Sequence, residues 1–205
     1  MKMPIKAVIF DFGGVLVRTL DSSRRRRWEA RLNLPAGGLS RIVFDSDAAA
    51  RVSLGQAPNS AIWQHVAAAL GLDDGQLEEL QRDFWAGDRL NAELVQFIRE
   101  LRPRYKTAIL SNAWSEARRL FTQVFGLDSI VDAMIISAEE GVIKPDPRIY
   151  QIAAARLGVQ PEQAIFVDDV AANAAGAQAI GMHGVQFKST PQTIAELKGY
   201  LESGE

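Results

Sequence analysis

The feature that most constrains this 205-residue chain is a repeated alternation of two patterns. Short apolar runs rich in β-branched and aromatic residues are separated by longer stretches with helical spacing. AVIF (7–10), TAIL (107–110), MII (134–136) and AIFV (164–167) read as buried strands, with GVQF (184–187) as a fifth. Between them, SEARRLFTQVF (115–125) places Ala117, Leu120, Phe121 and Val124 on one helical face. PRIYQIAAARLG (147–158) begins with Pro and ends at Gly, the asymmetry expected of a helix. VAANAAGAQAIG (170–181) and PQTIAELKGYL (191–201) follow. Strands that are apolar throughout, each followed by a helix, predict an α/β fold: a Rossmann-like parallel sheet with helices on both faces.

The alternation is interrupted between about residues 20 and 90, where no strand pattern stands out. Helical segments fill that interval: 23–32, 39–52, 59–71 and 74–87, separated by PAGG (35–38), GQAPN (55–59) and GLDD (71–74). This predicts a helical-bundle cap at 19–89 inserted into a core made of 1–18 and 90–205. Helix 91–102 returns to the sheet with Asn91 as its N-cap. Within the insertion, Trp28, Trp63, Phe84 and Trp85 are expected to fill the bundle or its contact with the sheet. The run Arg24–Arg27 is expected to be solvated, and His65 to be a packing or surface residue.

The polar residues that end the strands share one edge if the sheet is parallel, and ligands bind at that edge. Asp11 follows AVIF, Ser111 and Asn112 follow AIL, Lys144 precedes a helix, and Asp168 and Asp169 follow AIFV. Adjacent acids at a strand end repel unless a cation offsets them, and Mg²⁺ is the natural hard cation for oxygen ligands. Asn173 lies one helical turn beyond. Ser111 and Asn112 can cap the helix that follows and also present a hydroxyl and backbone N–H groups to an anion. A carboxylate, a hydroxyl, an amine and an acid pair are a set suited to phosphoryl chemistry. The chain has no cysteine, so thiolate chemistry and disulfides are excluded, and two distant histidines do not suggest a His-rich metal centre. A net charge of −2 gives no reason to expect nucleic acid or an anionic membrane as a partner. The N-terminal apolar run is too short for a signal peptide and no stretch approaches a transmembrane span, so a cytoplasmic location is expected. Oligomeric state is not readable.

In their order along the chain, IFDFGGVL, LSN, GVIKPDPRIY and FVDDVAANAAGA resemble the four motifs of the haloacid dehalogenase superfamily, in the branch with a helical cap after the first strand. The resemblance covers essentially the whole chain. It implies that Asp11 is a nucleophile forming an aspartyl-phosphate, and that Ser111 and the Asn112 amide hold the phosphoryl group. Lys144 would neutralise charge between nucleophile and phosphate. Asp169 would ligate Mg²⁺ together with Asp11 and the Gly13 carbonyl, with Asp168 supporting Lys144 or a metal-bound water. The implied activity is Mg²⁺-dependent hydrolysis of the phosphate monoester of a small metabolite.

The chain departs from the family's phosphatase pattern at one position. Gly13 stands where such enzymes usually carry a second Asp that acts as general acid and base, help typically worth about two to four orders of magnitude in rate. Water or a cap residue can substitute, the substrate can have a good leaving group, or the protein can be slow. A 2-haloacid dehalogenase uses the same Asp nucleophile without the second Asp, but carries Ser-Asn where this chain has Asp168-Asp169. A phosphomutase needs proton transfer at position 13. A degenerate binding module would not be expected to keep Asp11, Ser111, Lys144 and Asp169.

Overall fold

The computed structural model describes residues 3–202, so residues 1–2 and 203–205 of the expected core segments lie outside it. Strand β1 (Ala7–Phe10) lies at the centre of a five-stranded sheet. Strands β2 (Val17–Thr19) and β3 (Asp88–Leu90) form a separate antiparallel ribbon. The sheet is completed by β4 (Lys106–Ser111), β5 (Ala133–Ile136), β6 (Ala164–Asp168) and β7 (His183–Gln186) in the order β5-β4-β1-β6-β7, with every neighbour parallel. The chain builds outward from β1 through β4 to β5, then crosses back to β6 on the other side. The order therefore reverses beside β1, which creates a crevice at the carboxyl ends of the strands.

The apolar strands have no polar alternation because both faces are covered. Val8 and Phe10 point to one layer, packed with Leu94 and Leu197. Ala7 and Ile9 point to the other, packed with Ile149 and Ala177. The covering helices are α6 (Ala92–Leu101) and α11 (Thr190–Glu202) on the first face. On the second face, after the short α8 (Ser137–Glu140) that follows β5, lie α9 (Pro147–Leu157) and α10 (Ala171–Ala179). Asn91 caps α6 by accepting from the Leu94 amide at 3.2 Å. Helix α9 has Pro147 at its start and Gly158 in the left-handed region at its end.

Helices α1 (Ser23–Arg31), α2 (Gly38–Phe44), α3 (Asp47–Ser53), α4 (Ser60–Leu70) and α5 (Asp74–Trp85) occupy the interval between the ribbon strands. They bury their own cluster, which includes Trp28, Leu39, Val43, Val52, Ile62 and Phe84. Segment 39–52 is two helices, where the sequence pattern predicts one. Ser46 breaks it and caps α3, accepting from the Ala49 amide at 3.1 Å. The ribbon strand β3 is a further correction, since no strand is expected between about residues 20 and 90. Three-residue strands are too short to display a period.

Segment 115–125 also differs from expectation. It is α7 (Ala117–Arg119) followed by a π-helical turn, Leu120–Val124. Ala117 and Phe121 face inward, but Leu120 and Val124 are exposed. The wider π turn makes Phe125 the next inward residue, where it packs edge-on to Phe12. Among the described residues, no helix is long and apolar enough to cross a membrane.

Candidate active site

Strand register brings the first two acids together. Phe10 pairs with Val167, so Asp11 and Asp168 each stand one step beyond a matched pair on adjacent strands. Neighbouring strands run about 5 Å apart, which places the two carboxylates within reach of one cation. Lys144 supplies it. Its Nζ lies 2.7 Å from Asp11 Oδ1 and 2.6 Å from Asp168 Oδ2, and it donates to the Leu110 carbonyl at 3.2 Å. All three residues are buried, with Lys144 only 3% exposed. Charges buried this deeply persist only with satisfied partners, and each bond found here meets that demand.

Asp168 is the most fully engaged of the acids. Besides Lys144 it accepts from the Val170 amide at 2.8 Å and from Asn173 Nδ2 at 3.1 Å. The Asn173 carbonyl in turn accepts from the buried Tyr150 hydroxyl at 2.8 Å. Tyr150 and Asn173 therefore fix the carboxylate that fixes Lys144. Asn173 faces the site as its helical spacing suggested. Tyr150 gave no sequence signal beyond its place in KPDPRIY.

Ser111 ends β4 and is buried at the same edge. Asn112 does something the sequence did not reveal. Its side chain clamps the Lys144 peptide: Asn112 Nδ2 donates to the Lys144 carbonyl at 3.0 Å, and the Lys144 amide donates to Asn112 Oδ1 at 2.8 Å. The two residues are far apart in sequence, so no local pattern could show this.

The loop after β1 closely approaches the third acid, Asp169. Gly14 has φ +81°, and a Cβ there would collide with the Asp169 carboxylate. Glycine is thus required both for backbone conformation and for close approach. Gly13 differs: its φ is outside the left-handed region, and a Cβ would meet nothing within 4 Å. Asp169 is exposed, in contrast to Asp168.

Asp11, Asp168 and Asp169 can each offer an oxygen within 4.8 Å of the others. Burial pushes the Asp11 carboxyl up to about 6; Lys144 opposes that rise and Asp168 adds to it. Burial, then the charge of Asp168, also raises Asp169. Three carboxylates with one lysine leave an excess of negative charge, held by hard oxygen donors with one acid open to solvent. That donor set fits Mg²⁺, which keeps part of its water shell and takes carboxylate oxygens.

Two expectations from the helical segments need correction. Arg25 is not simply solvated. Its Nε donates to the Phe84 carbonyl at 2.6 Å, its Nη2 lies 2.9 Å from Asp88, and its guanidinium stacks 4.0 Å from the Phe84 ring centre. Trp85 is 41% exposed, so it is not spent on packing alone.

A family model described as haloacid dehalogenase-like hydrolase matches residues 5–181. The chain is 31% identical to a phosphatase of Mycobacterium tuberculosis, over 93% of this chain and 91% of that protein. Two other curated relatives, acyl-CoA dehydrogenase family member 10 of Mus musculus and bifunctional epoxide hydrolase 2 of Rattus norvegicus, are longer, and the chain spans 19% and 39% of their length. Its fold resembles that of a haloacid dehalogenase family enzyme from Bacteroides thetaiotaomicron, solved in complex with magnesium and inorganic phosphate. The TM-score is 0.71 at 18% identity, covering 91% of this chain and 96% of that one. It also resembles L-2-haloacid dehalogenase from Xanthobacter autotrophicus, with a TM-score of 0.67 at 26% identity, covering 95% and 83%.

Proposed function

The chain belongs to the haloacid dehalogenase-like hydrolases, and on that premise we propose that it is a Mg²⁺-dependent phosphatase of a small phosphorylated metabolite, acting through an aspartyl-phosphate on Asp11. The observation that carries this reading is Lys144 Nζ, held between Asp11 and Asp168 in a buried site. An anionic nucleophile and an anionic phosphate cannot approach in low dielectric without such a fixed cation.

In the first step an Asp11 carboxylate oxygen attacks phosphorus and the bond to the ester oxygen breaks. The leaving group takes its proton from water, because Gly13 has none to give. In the second step water attacks the phosphorus of the aspartyl-phosphate, releasing orthophosphate and restoring the Asp11 carboxylate. Ser111 and the Asn112 amide bind phosphoryl oxygens. The Asn112 side chain keeps Lys144 in place, and Asp168 orients its ammonium group. Asp11, Asp169 and the Gly13 carbonyl would hold Mg²⁺, with Asp168 behind them, and the bound ion supplies charge neutralisation for the phosphoryl oxygens. We assign 19–89 to the cap and 1–18 with 90–205 to the core, so that the helical segment screens the site from water.

The missing acid at Gly13 also suits a 2-haloacid dehalogenase, in which Asp11 would attack carbon. The Asp168–Asp169 pair favours phosphate, since that displacement needs no cation. The test measures release of p-nitrophenol from p-nitrophenyl phosphate and of chloride from 2-chloropropionate, with Mg²⁺ and with EDTA. Phosphatase activity that EDTA abolishes supports the proposal. Chloride release indifferent to EDTA contradicts it.

A further inference from the structure

Three tryptophans from three separate elements meet where the helical segment touches the loop after Ser111. Trp63 belongs to α4, Trp85 ends α5, and Trp114 is the third residue past Ser111. The Trp114 ring centre lies 6.3 Å from that of Trp63 and 6.0 Å from that of Trp85, both edge-on. Three residues of chain reach at most about 11 Å, so the Trp114 backbone lies no farther than that from Ser111. Trp85 is 41% exposed, and Phe44, whose ring meets Trp85 at 6.0 Å, is 46% exposed.

The same seam holds an unsatisfied donor. Asn59 Nδ2 is buried and has no partner, while Asn59 Oδ1 accepts from Ser115 Oγ at 3.2 Å. Asn59 stands one helical turn before Trp63, and Ser115 directly follows Trp114. Buried polar groups are nearly always paired, so an orphan amide one helical turn from the partly buried Trp63 marks a place for a ligand acceptor. Arg25, stacked on Phe84 and 6.0 Å from the Trp85 ring, is already neutralised by Asp88. The seam thus offers apolar rings and one neutral donor.

We propose that this seam binds the leaving group of the substrate, and that the substrate is an aryl phosphate whose ring system carries a hydrogen-bond acceptor. The inference rests on the phosphatase reading and deepens it. Two independent observations converge on it. The Trp85 and Phe44 rings are exposed beside the seam's unpaired amide, and Gly13 has no acid to protonate the leaving group, a handicap that a phenolate tolerates far better than an alkoxide.

The test compares 2-naphthyl phosphate with phenyl phosphate, whose leaving groups have nearly the same pKa, so that chemistry is matched and ring area varies. The naphthyl ester is expected to show a kcat/KM about tenfold higher, chiefly through KM. Trp85→Ala should bring that ratio towards one, and Trp85→Leu serves if the alanine variant is unstable. Asn59→Leu should raise KM for an aryl phosphate bearing a ring carbonyl more than for one without it. Equal kcat/KM for the two esters, or a ratio untouched by Trp85 substitution in a folded variant, overturns the proposal. If neither ester is hydrolysed with Mg²⁺, the phosphatase reading has failed, and tryptophan fluorescence titration with 2-naphthylphosphonate against methylphosphonate still decides the seam. Quenching by the naphthyl compound alone supports it; equal response or none refutes it.

Discussion

Asp11→Asn should abolish turnover and at the same time stabilise the metal-free protein at alkaline pH. Burial, only partly offset by Lys144, lifts the Asp11 carboxyl from 3.8 to about 6. A carboxyl raised in the fold stabilises it while protonated. That contribution is complete below the unfolded value near 4 and is lost as pH rises through about 6. At about 1.4 kcal/mol per pKa unit, ionised Asp11 costs the metal-free fold about 3 kcal/mol at pH 8. Asn is neutral at every pH and keeps an oxygen that can accept from Lys144, which remains paired with Asp168. The variant should therefore recover about 1–3 kcal/mol, or a rise in Tm of about 3–10 °C for a chain of this size. The assay is thermal unfolding in EDTA. The gap should be widest at pH 8 and fall to about half by pH 5, where the folded wild type is largely protonated. Mg²⁺ should then raise the Tm of the wild type more than that of the variant, because one ligand is weakened. A variant less stable than wild type at pH 8 in EDTA, or a gap independent of pH, would refute the reasoning. Turnover above a few per cent of wild type would show that Asp11 is not the nucleophile.

Gly13→Asp should fold normally, since a Cβ at that position meets nothing within 4 Å and needs no left-handed backbone. It should raise turnover of alkyl phosphates by about tenfold or more, a part of what general acid–base help typically supplies, with little gain for p-nitrophenyl phosphate; a uniform effect on both would count against proton supply as the limit. Asn112→Ala removes both side-chain bonds to the Lys144 peptide. At about 1 kcal/mol each, the loss is about 2 kcal/mol, visible in a urea unfolding series, with kcat reduced because Lys144 is less well held. An unchanged unfolding midpoint would show that the clamp does not hold the Lys144 loop.

Much of this structure could be read from the sequence because burial on two faces leaves a plain mark. AVIF and AIFV are apolar at every position since both layers of helices cover them. Asn91, Pro147 and Gly158 punctuate helices by local chemistry, and local chemistry is visible in one dimension. What escaped depended on geometry between distant segments. The 39–52 pattern looked continuous because Leu39 and Val43 before the break, and Ala49 and Val52 after it, all enter one cluster. The helical period at 115–125 failed because a π turn shifts the inward face from Val124 to Phe125. In the site, the strand-end acids were evident from their apolar neighbours. The Asn112 clamp, the Tyr150–Asn173 support and the open space at Gly13 were not, since each depends on strand register or loop conformation.

The most direct test of the central claim is to look for the intermediate on Asp11. Enzyme in excess over an aryl phosphate, with Mg²⁺, would be quenched in acid within a turnover, digested, and analysed by mass spectrometry. The account predicts a phosphoryl group on the peptide containing Asp11, absent in EDTA and absent in Asp11→Asn. Rapid Mg²⁺-dependent release of phosphate, with intermediate hydrolysis shown to be rate-limiting and no label on Asp11, would contradict it.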